Sequence, residues 1–143
     1  MARDSVVQAS GSDVRPVMGA QRHSLEVDGA VSALAARQHG VVTRAQLGAL
    51  GLSRRAIGYR LECGRLHPVH RGVLAVGHPG LSQDGRWMAA VLAMGQGSVL
   101  SHRTAGALWG LGPSGRRVDV TVAMQRRPRA GLSVHCVPPR STK

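Results

Sequence analysis

Phenylalanine is missing from the 143 residues, and aromatic side chains make up only 2% of them, two tryptophans and one tyrosine. Any core must therefore be assembled from Val, Leu, Ala and Ile. At 43% hydrophobic residues there are enough of these for one domain, or for a small domain with part of a second. Acidic residues are scarce as well, seven against 19 basic ones. A nuclease needs clustered carboxylates to hold Mg²⁺. Of Asp4, Asp13, Glu26, Asp28, Glu62, Asp84 and Asp119, only Asp119 sits in a strand pattern, and no D-x(n)-E-x-K spacing follows it. Catalysis by this chain is not expected, and no cofactor is. The two cysteines, Cys63 and Cys136, are far apart and form no CxxC, which reads as two reduced thiols and not as a disulfide framework. No apolar run approaches a membrane span, no signal-peptide stretch opens the chain, and no glycine loop of the phosphate-cradling kind precedes a helix. The expectation is a cytosolic protein without a membrane partner.

What the chain has in quantity is positive charge, a net +12. All but one of the basic residues are arginine, the exception being Lys143. Guanidinium groups bond phosphate and guanine bidentately, which an ammonium cannot do. A GC-rich genome also favours arginine, so the positions of these residues say more than their number.

The segment from Thr43 to Gly77 holds six of them, Arg44, Arg54, Arg55, Arg60, Arg65 and Arg71, with a single acid, Glu62. Before it, residues 1–27 lack periodicity and read as a disordered leader. Asp28 can cap a helix running to about His39, with Val31, Leu34 and Ala35 on one stripe, and Gly40 ends it. Thr43 with Gln46 three residues on is a capping box. The helix it starts turns Leu47 and Leu50 inward and closes at Gly51. Ser53 caps the next helix, which runs to about Cys63 and is closed by Gly64. In that helix Ile57 and Leu61 define the buried stripe, which leaves Arg55, Gly58, Tyr59 and Glu62 pointing away and Arg54 on the shoulder. Short helix, glycine turn, second helix is helix-turn-helix spacing. Leu66 to Val76 is β-prone and broken by Gly72, giving two short strands that form a wing.

Beyond Gly77, Ser82 caps a helix to about Met94 with Trp87, Val91 and Leu92 inward. Ser98 or Ser101 starts another, ending at Trp109. Val118, Val120 and Val122 alternate with polar residues as a strand, and Leu132, Val134 and Cys136 form a second. These two strands read as a β-hairpin whose loop carries Arg126, Arg127 and Arg129, either a second backbone contact or a solvated tip. Residues 138–143 read as a tail. The predicted fold class is α+β: a winged helix-turn-helix over 28–77, then a partial α/β unit of two helices and a hairpin over 78–137.

An exposed helix with its charge on one side suits the major groove, and a basic hairpin beside it suits backbone phosphates. On that reading Arg54, Arg55 and Tyr59 face the groove. Thr43, Arg44, Ser53, Arg65, His70 and Arg71 meet the backbone. The competing reading is a solvated basic helix, and Gly58 speaks for it, since glycine on a reading face contacts nothing. His67 and His70 with Cys63 and His78 invite a zinc site. An HxxH on a regular strand, however, puts its rings on opposite faces, so no metal is expected. Ser101 and His102 suggest a nucleophile and base. Neighbours within a helix diverge by about 100°, which favours Ser101 as a cap.

HGVVTRAQLGALGLSRRAI, GRLHPVHRGVLAVG and LSHRTAGALWGL, taken in order over about residues 30–137, resemble the N-terminal part of the AbiEi-type antitoxin family of type IV toxin–antitoxin systems. The same N-terminal region also occurs fused to Vsr-like endonuclease domains. The resemblance implies a winged helix-turn-helix that binds operator DNA and represses its own operon. It also implies functional opposition, without a stable complex, to a nucleotidyltransferase toxin. Family members continue past the position of Lys143, so a C-terminally truncated member is expected. The alternatives are the DNA-targeting module or remnant of a Vsr-like endonuclease, and a winged-helix module for protein interaction.

Overall fold

The computed structural model describes residues 22–127 and 129–137. Most of the leader expected over 1–27, and the tail over 138–143, lie outside that range. Residues 22–37 are helical (α1), followed by β1 (Val41–Thr43), α2 (Arg44–Ala49), α3 (Arg54–Glu62), β2 (Leu66–His70) and β3 (Val73–Val76). Then come α4 (Gln83–Met94), β4 (Val99–Leu100), α5 (His102–Leu108), β5 (Val118–Val122) and β6 (Leu132–Cys136). Asp28 lies inside α1, not at its cap. Residues 22–27, assigned to the leader, are helical because Val27 extends the buried stripe of Val31 and Ala35 by one turn. The Asp28 carboxylate pairs with Arg60 of α3 and so ties the two helices together.

Local chemistry sets the ends of α2 and α3. The Gln46 backbone N–H donates to Thr43 Oγ1 (3.1 Å), and Gln46 Oε1 accepts from the Thr43 N–H (2.9 Å), completing the capping box. The same Gln46 side chain exchanges two amide bonds with Gln38 at the end of α1 (2.8 and 3.0 Å), which fixes the approach of α1 to α2. Ser53 Oγ accepts from the Ala56 N–H (3.1 Å) and starts α3.

β1, β3 and β2 form an antiparallel sheet with β3 in the centre. Val42 opposes Leu74 on one face, and both join Val31, Leu47, Ile57 and Leu66 in a core under α1–α3. Val41 and Val73 face the other way and pack with Ala89 of α4. A sheet covered on both faces reads as a continuous apolar run, and β3, VLAV, does. The central strand of the wing is thus buried, whereas β2 leaves Pro68 exposed and His67 and His70 half-buried.

The second sheet orders β4-β5-β6, and here the structure corrects the sequence reading. β5 and β6 are parallel, with Val118 opposite Leu132 and Val122 opposite Cys136, so they form no hairpin. β4, which the sequence reading did not assign, pairs antiparallel with β5. The cause lies in the connection. Residues 123–131 do not turn back at the end of β5 but return along the sheet to its start. Val120, Val122 and Leu132 pack on Ala90 and Met94 of α4. In α4, Trp87 is inward as expected, but Val91 and Leu92 are only half-buried. Ala89, Ala90 and Met94 carry the fully enclosed positions.

Two glycines generate opposite predictions. Gly58 sits within α3, and a Cβ there would meet nothing within 4 Å. Gly58→Ala should therefore raise unfolding free energy by up to about 1 kcal/mol. Gly85 is buried in the first turn of α4, and a Cβ there would lie 2.8 Å from the His39 carbonyl oxygen. That oxygen belongs to a turn whose His39 already has φ +56°. Gly85→Ala should destabilise by about 1–3 kcal/mol, since overpacking against backbone outweighs the helix-propensity gain. Urea unfolding of both variants checks the pair.

Candidate nucleic-acid interface

Three guanidinium groups and one imidazole, drawn from three separate stretches of the sequence, surround one open groove. Arg44 opens α2, His70 and Arg71 form the wing turn, and Arg129 comes from the β5–β6 connection. The groove encloses about 710 Å³ and, among the described residues, has no acidic residue in its lining. The Arg44 N–H donates to the Gly72 carbonyl (2.9 Å), so the start of α2 is fastened to the wing turn. Arg129 Nη1 donates to the Arg71 carbonyl (3.3 Å), which carries the second sheet's connection onto the wing. Unpaired like charges held this close repel one another, and a polyanion relieves that repulsion.

α3 supplies a separate surface. Its Ile57 is buried, and Leu61 packs against the same core. Arg54, Arg55 and Tyr59 are exposed, Tyr59 at 62%. The Tyr59 phenol is held above its ordinary value by a hydrogen bond to Cys63 one turn on and by the charge that thiol can carry, with Arg65 opposing. The phenol is protonated at neutral pH in any case, so Tyr59 offers a neutral hydroxyl there. Arg65 is exposed just past the helix. Thr43 and Ser53 use their hydroxyl oxygens as helix caps, which leaves each O–H free to donate. Of the six arginines between Thr43 and Gly77, Arg60 alone is committed to an ion pair among the described residues.

The residues proposed from sequence thus fall into two groups. Arg44, His70 and Arg71 share the groove, with Arg129 added to them. Arg54, Arg55, Tyr59 and Arg65 lie on and just after α3 and do not line it. Arg129 is the residue that sequence reasoning failed to join to the wing. Its signal was the basic run in the 123–131 connection, misplaced onto a hairpin tip. Arg126 of the same run lies against Gly95, with guanidinium atoms 3.6 to 3.9 Å from where a Cβ would stand. There it faces the carbonyl end of α4, where a cation is favoured.

Two further expectations change. A bulge between Pro68 and His70 sets His67 opposite Ala75 and His70 opposite Val73, two positions apart on β3. The extra residue moves the two histidines to one face, not opposite faces. Among the described residues no three His, Cys, Asp or Glu side chains converge to hold a metal. Ser101 precedes α5 but makes no side-chain cap bond. Its Oγ lies 3.0 Å from Nδ1 of His102 instead, because Ser101 is extended and His102 has φ +50°, which cancels the divergence expected within a helix.

Residues 30–77 match the family model described as a transcriptional regulator, AbiEi antitoxin. This is the family that the motifs of that segment resemble, and it is a winged-helix family, in keeping with the α+β architecture. Among curated proteins, none matches the chain. Among the described residues no helix is long and apolar enough to cross a membrane.

His70 is half-buried, and burial pushes its imidazole below the ordinary value of 6.5, with the charge of Arg129 adding to the effect. The neutral ring is thus favoured in the folded state. Between the folded and unfolded values the unfolded chain binds more protons, so stability falls as pH drops through 6.5 and levels off below the folded value. Thermal midpoints measured from pH 7.5 to 5 should decline less steeply in His70→Gln than in the parent. An equally steep decline would rule out His70 as a contributor.

Proposed function

We propose that this chain, with its AbiEi antitoxin-type segment over residues 30–77, is a double-stranded DNA-binding regulator that represses its own operon. The observation that carries this reading is the groove in which Arg44, His70, Arg71 and Arg129 converge, with no acid lining it among the described residues. It lies on the same winged helix-turn-helix whose α3 holds Arg54, Arg55 and Tyr59 outward. α3 enters the major groove, where Arg54 and Arg55 read base edges and Tyr59 donates its hydroxyl. The wing turn, Arg44, Arg65 and the hydroxyls of Thr43 and Ser53 hold phosphates.

Fluorescence anisotropy on the DNA upstream of the chain's own reading frame tests it. With roughly five phosphates contacted, log K against log salt should slope near −4 to −5. Arg55→Ala should narrow the gap between operator and random duplex, whereas Arg71→Ala should weaken both alike. A salt-independent affinity, or two variants that bind as the parent does, would remove the assignment.

A further inference from the structure

The face of the second sheet turned away from α4 carries polar side chains: Asp119 on β5 with Ser133 and His135 on β6. α5 is pinned over this face. The Ser101 N–H donates to the Asp119 carbonyl (2.9 Å), and the Asp119 N–H donates to Oγ1 of the buried Thr104 (2.8 Å). The Asp119 carboxylate lies 3.3 Å from Nε2 of His135. The His135 ring stacks on that of His102, centroids 3.9 Å apart at 31°. His102 closes the row on Ser101 through Nδ1 (3.0 Å). Around these rings stand Arg103, Arg116 and Arg117, all exposed, and the cleft so formed holds about 480 Å³.

We infer that this cleft is a phosphate-binding site, built by His102, His135, Arg103, Arg116 and Arg117 around an Asp119 that orients His135. Three features require an anion with several oxygens. The three guanidinium groups outnumber the one carboxylate, and that carboxylate is already engaged by His135. Each imidazole spends one nitrogen on the row, Nδ1 of His102 and Nε2 of His135; His102 has Nε2–H to donate when Nδ1 accepts from Ser101, whereas His135, donating Nε2–H to Asp119, can donate from Nδ1 as well only as the imidazolium. The donors exceed what the two oxygens of a carboxylate accept, whereas a terminal phosphate presents three. A non-glycine residue at positive φ is strained, and His102 holds +50° in the pose that stacks its ring. The two rings, tilted by 31° with centroids 3.9 Å apart, pack against each other and do not stand on opposite sides of a phosphorus atom as acid and base, so the site binds and does not cleave. The phosphate is that of a free nucleotide or of a DNA backbone, and the inference does not rest on the wing's role.

Calorimetric titration at 150 mM chloride with adenosine 5′-monophosphate and inorganic phosphate, beside anisotropy with random duplex, tests it. If the source is a free phosphate, saturable binding is expected, weakened at least tenfold in Arg116→Ala/Arg117→Ala and unchanged in Arg71→Ala. If the source is the duplex, the free phosphates do not bind, and the double variant flattens the salt slope by about two. Imidazole resonances supply a readout that needs no variant: phosphate or duplex should shift those of His102 and His135. The inference is overturned if neither probe is weakened by the double variant, if binding is lost in Arg71→Ala instead, or if only His67 and His70 respond.

Discussion

Everything in this molecule is hung on α4. Ala89 and Ala90 are neighbours on that helix, both fully enclosed, and they serve different cores. Ala89 lies against Val41 and Val73 of the first sheet, Ala90 against Val120, Val122 and Leu132 of the second. A methyl group on either side lets two sheets approach one helix, and Gly85 lets the first turn of α4 come down on the His39 carbonyl. Larger residues at these positions would part the sheets. With no phenylalanine to fill space, small side chains give density through close approach.

That packing has an electrostatic consequence. Because α4 holds the second sheet against the wing sheet, the connection between β5 and β6 reaches the wing turn, and Arg129 bonds the Arg71 carbonyl. The positive groove is therefore composite, with Arg44, His70 and Arg71 from the winged helix and Arg129 from beyond it. The charge on this face is concentrated by tertiary structure beyond what the helix-turn-helix provides, and the depressed basicity of His70 follows first from its burial and then from the charge of Arg129. The opposite face of the second sheet gathers a different set, two histidines and three arginines about Asp119, also from three separate stretches of chain.

The local elements were legible because local chemistry makes them. Thr43 with Gln46, Ser53 and Ser82 each bond a backbone N–H three residues on, and the glycines that close the helices were visible for the same reason. The outward placement of Arg54, Arg55 and Tyr59 followed from the positions of Ile57 and Leu61, because a helix has one period. The failures share a cause. The step between His67 and His70 was counted on a regular strand, but a bulge adds a residue. The divergence of Ser101 and His102 was counted on a regular helix, but Ser101 lies outside it. Periodicity is informative only where the backbone keeps its period.

The amino-acid order by itself determined the α+β class, the helix-turn-helix with its caps, the α3 stripe and the excess of guanidinium over carboxylate. Each depends on residues no more than a few positions apart. Only the tertiary structure decided that β5 and β6 run parallel, that Asp28 takes Arg60 out of the exposed set, that Arg129 joins the wing and that His102 meets His135. Those outcomes depend on the path of connecting segments and on which faces α4 holds together, and nearest neighbours in the chain encode neither.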